Sequence, residues 1–152
     1  MSRTLRHRFT LLALLVGAFL LAIQLVPYGR AHASPPVRAE PPWPGQTRDL
    51  AARACFDCHS NQTQWPWYAS VAPVSWLVQR DVDEGRGKLN FSEWDRQQEV
   101  EEAAEQIQEG EMPPWYYVVL HPEARLSRAE QSTLIAGLTQ LGGGRDRGDR
   151  RR

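Results

Sequence analysis

Phe9 to Val26 is an apolar run interrupted only by Thr10, Gly17 and Gln24, and three arginines (Arg3, Arg6 and Arg8) precede it. Wound as a helix at about 1.5 Å per residue, the run reaches about 27 Å, close to the roughly 30 Å hydrocarbon core of a bilayer. A secretory h-region is usually shorter, about 7–15 residues. Against that, Ala31-His32-Ala33 followed by Ser34 has the small-x-small pattern of a cleavage site. A retained transmembrane anchor over 9–26 and a cleaved signal are both open, while a buried core helix suits the flanking arginines poorly. Both leading readings leave residues 1–8 as a cytoplasmic basic end and export everything after Val26.

The exported part divides by composition. Residues 27–46 include SPPVRAEPPWPGQ and read as a Pro-rich extended spacer. Gly142-Gly143-Gly144 is expected to stop the last helix, and 142–152 reads as a disordered basic tail. Residues 47–141 remain as the folded domain. The chain's eighteen basic and eighteen acidic residues balance, but Glu40 to Leu141 holds sixteen acidic residues against eight basic ones. A nucleic-acid binder concentrates positive charge on its folded part, so that class is excluded.

Within 47–141 the periodicity is helical and predicts an all-α domain of about four helices. Thr47 starts the first, running to about His59. Pro73 to Glu84 forms the second, ended by Gly85 and Gly87. Ser92 and Asp95 open the third, with Val100, Ala103, Ala104 and Ile107 on its buried stripe. Ser127 and Glu130 make a capping box for the fourth, which buries Leu134, Leu138 and Leu141. Glu111 to Leu126 reads as irregular. So small a core, with long Pro-rich loops, gains from a buried prosthetic group.

Cys55-Phe56-Asp57-Cys58-His59 has the C-x-x-C-H spacing of a c-type haem attachment site. Residues at i, i+3 and i+4 share one helix face. Two thiols can therefore meet the vinyl groups of one porphyrin while the imidazole meets its iron. A thioredoxin-like pair needs a βαβ context that is missing here, and a zinc site needs four ligands although there is no second Cys pair. A plain disulfide between Cys55 and Cys58 stays open in an oxidising compartment.

For the sixth ligand the exported domain offers Met112, the one methionine besides the initiator, in Glu111-Met112-Pro113-Pro114-Trp115. Prolines hold such a segment extended. His121, followed by Pro122, is the alternative, and a core-filling role for Met112 is the bland one.

The stretches CFDCHSNQTQWPWYASVAPVSWLVQRDVDEGRGKLNFSEW and EMPPWYYVVLHPEARLS resemble the bacterial haem-binding domain family of cytochrome-c-like proteins, over about Val26 to Leu138. The resemblance implies a mono-haem c-type domain, membrane-anchored or periplasmic, with one covalent haem c. It implies Cys55 and Cys58 as attachment sites, His59 as proximal ligand and Met112 as distal ligand.

Trp65, Trp67 and Trp115 flank the ligand segments and are candidates for porphyrin contact, with ordinary core packing as the alternative for each. Arg53 or Arg80 could pair with a propionate, though a solvated role suits each better. Asn61-Gln62-Thr63 and Asn90-Phe91-Ser92 match the glycosylation sequon, by chance if the source is bacterial. With both axial positions filled, oxygen and peroxide are kept off the iron and one-electron transfer is the remaining task. The expected protein is an electron carrier on the periplasmic side of the cytoplasmic membrane. Its acidic domain would steer a redox partner with a basic docking surface. The alternatives are a haem-dependent peroxidase and a haem-based gas or redox sensor.

Overall fold

The computed structural model describes residues 3–149, with side chains described through residue 143. All regular structure among them is helical: α1 (Arg3–Ile23), α2 (Thr47–Ala54), α3 (Phe56–His59), α4 (Val74–Lys88), α5 (Val100–Glu109), α6 (Trp115–Leu120) and α7 (Arg128–Asp149), with 3-10 turns at Trp67–Ser70 and Pro122–Ala124. The all-α expectation holds. The described chain divides into two compact units. One comprises residues up to His32 with Trp65–Asp81; the other comprises Ala33–Gln64 with the residues from Val82 onward.

In the second unit the apolar stripes close on one another. Leu50, Ala51 and Ala54 of α2, Val100, Ala104 and Ile107 of α5, and Leu134, Leu138 and Leu141 of α7 form one core with Phe56, Leu89, Phe91 and Leu126. The i, i+4, i+7 spacing on α5 and α7, and i, i+1, i+4 on α2, puts each set on one helix face and buries them together. The capping box starting α7 is present: Ser127 N–H donates to Glu130 Oε2 at 2.8 Å, and Glu130 N–H to Ser127 Oγ at 3.3 Å.

The helix boundaries differ from expectation in ways that have physical causes. The first helix breaks at Cys55, whose φ of −128° leaves the helical range. The second runs on through Gly85 and Gly87 to Lys88, because Gly85 serves close packing and not termination. Ser92 does not open the third helix, which starts at Val100. Its hydroxyl is used elsewhere, accepting the Asn61 N–H at 3.0 Å. The stretch expected to be irregular contains α6 and a 3-10 turn. The last helix passes Gly142–Gly144 and continues to Asp149, so the expected disordered tail is helical as far as it is described. Residues 150–152 of that tail lie outside the described residues.

The Pro-rich spacer is also more than a tether. The Arg38 N–H donates to Ser92 O at 2.8 Å, Ala39 bridges Glu93, and the Trp43 ring lies 4.9 Å from Phe91 and 6.0 Å from Phe56. Trp43 is the reason: an indole this size closes the edge of the aromatic core.

The first unit is built differently. No residue of α1 is buried, so α1 is not a core helix, and it is long and apolar enough to cross a membrane. Immediately after it, the Gln24 amide pairs with the Ala72 backbone, donating to Ala72 O at 2.9 Å and accepting its N–H at 3.0 Å. Gly29 has a φ of +78°, and a β carbon there would lie 2.3 Å from Ser75 O. Only glycine satisfies both conditions. His32 Nε2–H donates to Ala69 O at 3.1 Å while its ring stacks on Trp65 at 4.8 Å.

Candidate haem site

Cys55, Cys58 and His59 occupy a single turn. The His59 N–H bonds Cys55 O at 2.8 Å and the Cys58 N–H bonds the same oxygen at 3.2 Å. This is the i, i+3, i+4 face that the spacing predicts. Cys55 and Cys58 are not joined in a disulfide. Cys55 keeps some accessible surface, yet its thiol is packed deeply enough that burial, reinforced by Cys58, pushes its pKa up to about 12.

The histidine is held by its far nitrogen. Nδ1 lies 3.0 Å from Gly85 O and 3.1 Å from Leu89 O. Carbonyl oxygens only accept, so Nδ1 carries the proton and Nε2 carries the lone pair. Burial lowers the His59 pKa, which favours the neutral ring that binds metals. The Gly85 carbonyl comes from the last turn of α4 and the Leu89 carbonyl from the residue just past its end, and Gly85 is what lets α4 approach. A β carbon at Gly85 would fall 2.5 Å from Cys58 O and 3.1 Å from Cys58 Cβ, whereas Gly87 faces open space.

The loop after the motif is clamped from several sides. Arg86 donates to Ser60 O at 2.8 Å, Thr63 Oγ1 at 3.0 Å and Ala33 O at 3.0 Å. Behind it lies a buried polar network in which Asn90 Nδ2 donates to Asn61 Oδ1 at 2.9 Å, the Asn90 N–H to Gln98 Oε1 at 2.7 Å and the Ser92 N–H to Asn90 Oδ1 at 2.9 Å. Asn61 and Asn90 are only 3% and 2% exposed. Their sequon matches are therefore packing residues that set the course of two loops. Asp57, inside the motif, accepts the Gln64 N–H at 2.9 Å and the Tyr117 hydroxyl at 2.7 Å, which ties α6 to the C-x-x-C-H turn. Burial, followed by the Asp57 carboxylate, raises the Tyr117 pKa.

Sequence reasoning missed Gly85, Leu89, Arg86, Tyr117 and the two asparagines. Gly85 is visible in the sequence but reads there as a helix stop. Backbone carbonyls leave no residue-type signal, so Leu89 was not legible.

The other candidates are distributed. Met112 is half-buried and packs, like Cys55, against the edge of the core. Its N–H donates to Gln106 O at 3.2 Å. Trp115, which follows Pro114, is 77% exposed at the start of α6, a helix with no buried residue. His121 is occupied locally: Nδ1–H donates to Tyr117 O at 3.1 Å and the ring stacks on that tyrosine at 4.1 Å. Trp65 and Trp67 belong to the first unit, Trp65 on His32 and Trp67 80% exposed. Arg53 pairs with Glu130, and Arg80 with Asp81.

These donors fit haem better than a bare ion. Among the described residues no group of three or more His, Cys, Asp or Glu side chains could hold a metal ion. One imidazole lone pair beside two thiols instead suits a metal that arrives with its own nitrogen ligands. No curated protein and no solved structure matches the chain. A family model described as "Haem-binding domain" matches residues 18–140, taking in both cysteines, His59, Met112 and the carbonyls that hold the imidazole, and by that match the chain belongs to the haem-binding domain family.

Proposed function

We propose that this haem-binding protein is a c-type cytochrome that carries one covalently attached haem and moves single electrons at the outer face of the cytoplasmic membrane. The observation that carries the reading is the His59 tautomer: Nδ1–H is committed to two backbone carbonyls, Nε2 is left as the donor, and Cys55 and Cys58 stand on the same turn. In this reading Cys55 and Cys58 would hold the haem through thioether links to its two vinyl groups, and His59 would bind its iron through Nε2. The bound haem supplies a one-electron iron couple. The chain's own residues do the rest. The Gly85 and Leu89 carbonyls orient the His59 ring and make it a stronger donor. Arg86 holds the loop that follows the motif, Tyr117 holds Asp57 inside it, and Met112 would be the second protein ligand to the iron, where a thioether would raise the reduction potential.

Trp115 is the aromatic contact in this proposal, since its exposed ring follows directly on the Met112 segment. The Trp65 ring is already stacked on His32, and Trp67 is an exposed residue of the first unit. His121, held on Tyr117, is not the axial ligand. The acidic domain steers a basic redox partner into brief, salt-sensitive encounters.

The test is maturation of the full chain together with a haem-attachment system. The expected product has the mass of the polypeptide plus one haem and a weak far-red band from a ferric iron–sulfur bond. Met112→Ala is expected to abolish that band and lower the potential while the haem stays attached. A colourless protein sinks the covalent reading. A high-spin spectrum that responds to peroxide or carbon monoxide favours a peroxidase or a sensor.

A further inference from the structure

From Trp65 to Gln79 the chain carries no charged residue, and this stretch holds three of the six tryptophans together with Tyr68. It lies wholly in the first unit. Several of its large side chains face outward: Trp67 is 80% exposed, and Val71, Val74 and Leu77 are about two-fifths exposed. Val74 and Leu77 are three residues apart in α4 and so share one face. The stretch is fastened to the chain just beyond α1. Gln24, the first residue after the helix, pairs with Ala72 through both its amide atoms. Gly29 presses on Ser75, and His32 bonds Ala69. Leu25 and Tyr28, within this fastened segment, are 85% and 47% exposed.

An apolar face on a water-soluble surface is unfavourable in proportion to its area. Directly at the end of a membrane span, the same face sits at headgroup depth, where Trp and Tyr are enriched because a ring can be apolar at one end and wet at the other. We infer that Trp67, Val71, Val74 and Leu77, with Leu25 and Tyr28, form a lipid-contacting face that lies in the membrane interface. The polar contacts of Gln24 hold this face at the level where α1 leaves the bilayer. The occupant is the phospholipid interface, and the inference rests on reading α1 as a retained span.

The test reconstitutes the matured full chain into phosphatidylcholine vesicles that contain a lipid with a photoreactive diazirine near its glycerol backbone. Labelled residues are located by peptide mass spectrometry. The expected result is labelling within 65–77 as well as at the end of α1. In the double variant Trp67→Glu, Val71→Glu the label in 65–77 falls to background, while the α1 label and the haem spectrum stay unchanged. Both side chains point outward, and the haem spectrum reports whether the fold survives. Label on α1 but none in 65–77 overturns the inference and leaves the span intact, opening this face to a protein partner. Label in 65–77 without label at the end of α1 removes the retained span and overturns the inference with it, since the depth of the face is set by that span. No label on either removes both. Undiminished label in the double variant also overturns the assignment.

Discussion

The two units of this chain solve opposite problems with similar residues. The second encloses both its phenylalanines and every leucine but Leu120: Leu134 and Leu138 are 0% and 1% exposed, and its buried Asn61 and Asn90 are hydrogen-bonded. The first carries its leucines on the outside of α1, and Trp67, Val71 and Val74 on the outside of 65–77. The lesson is that apolar content does not identify a core. What separates the units is whether a stripe has a complementary stripe to meet, as α5 and α7 have in each other, or has only its surroundings.

The largest effect that sharpens this contrast is expected inside the core. Leu134→Ala removes a fully buried side chain and should destabilise the haem domain by about 2–5 kcal/mol. Thermal melting followed at the haem band checks this, and a loss below about 1 kcal/mol would show that the α5–α7 seam is not the core.

Next comes Gly85→Ala. Its new methyl would press on the Cys58 carbonyl, which does not yield easily, so a loss of about 1–3 kcal/mol is expected. A changed haem spectrum should accompany it, because α4 and the residue just past its end carry the two carbonyls that hold His59. Gly87→Ala, two residues on and facing open space, should be neutral or stabilising by up to about 1 kcal/mol. Equal losses at the two positions would break the argument that Gly85 is placed for close approach.

A smaller effect is set by pH. Arg53, with help from the Ser127 N–H and hydroxyl, holds the Glu130 carboxyl down to about 2. A depressed carboxyl stabilises the fold above its ordinary value near 4.5, and that contribution is lost as pH falls from about 4.5 towards 2. Glu130→Gln should therefore flatten the acid limb of a stability–pH profile while costing little below pH 2. An unchanged acid limb would remove this pair from the account.

The smallest effect is expected at the surface of the first unit. Trp67→Ala in detergent should leave the melting of the haem domain within about 0.5 kcal/mol of the parent. A loss comparable to that at Leu134 would mean that Trp67 is a core residue, and the contrast between the units would fail.

Much of this was readable in advance, and what was not has a common cause. The helical class, the core stripes of α5 and α7, the capping box and the C-x-x-C-H turn are local patterns, written within a few residues. The errors at Ser92 and Gly85 and over the Pro-rich stretch concern residues whose role is set by a distant neighbour. Ser92 looks like a helix cap until Asn61 takes its hydroxyl. Gly85 looks like a helix stop until Cys58 is seen against it. Trp43 looks like part of a linker until Phe56 and Phe91 are found beneath it. The two carbonyls on His59 belong to the same class, since any residue type can supply one.

The buried pair Asn61 and Asn90 has a practical consequence for making this protein. A eukaryotic secretory host attaches oligosaccharide to Asn-x-Ser/Thr while the chain is still emerging, before burial can protect the acceptor. Here a sugar on either amide would occupy the space that the other needs, and it would open the loop that follows His59. Such a host would turn out chains unable to close around their pigment, while a cell without that machinery would leave both amides bare and able to find each other.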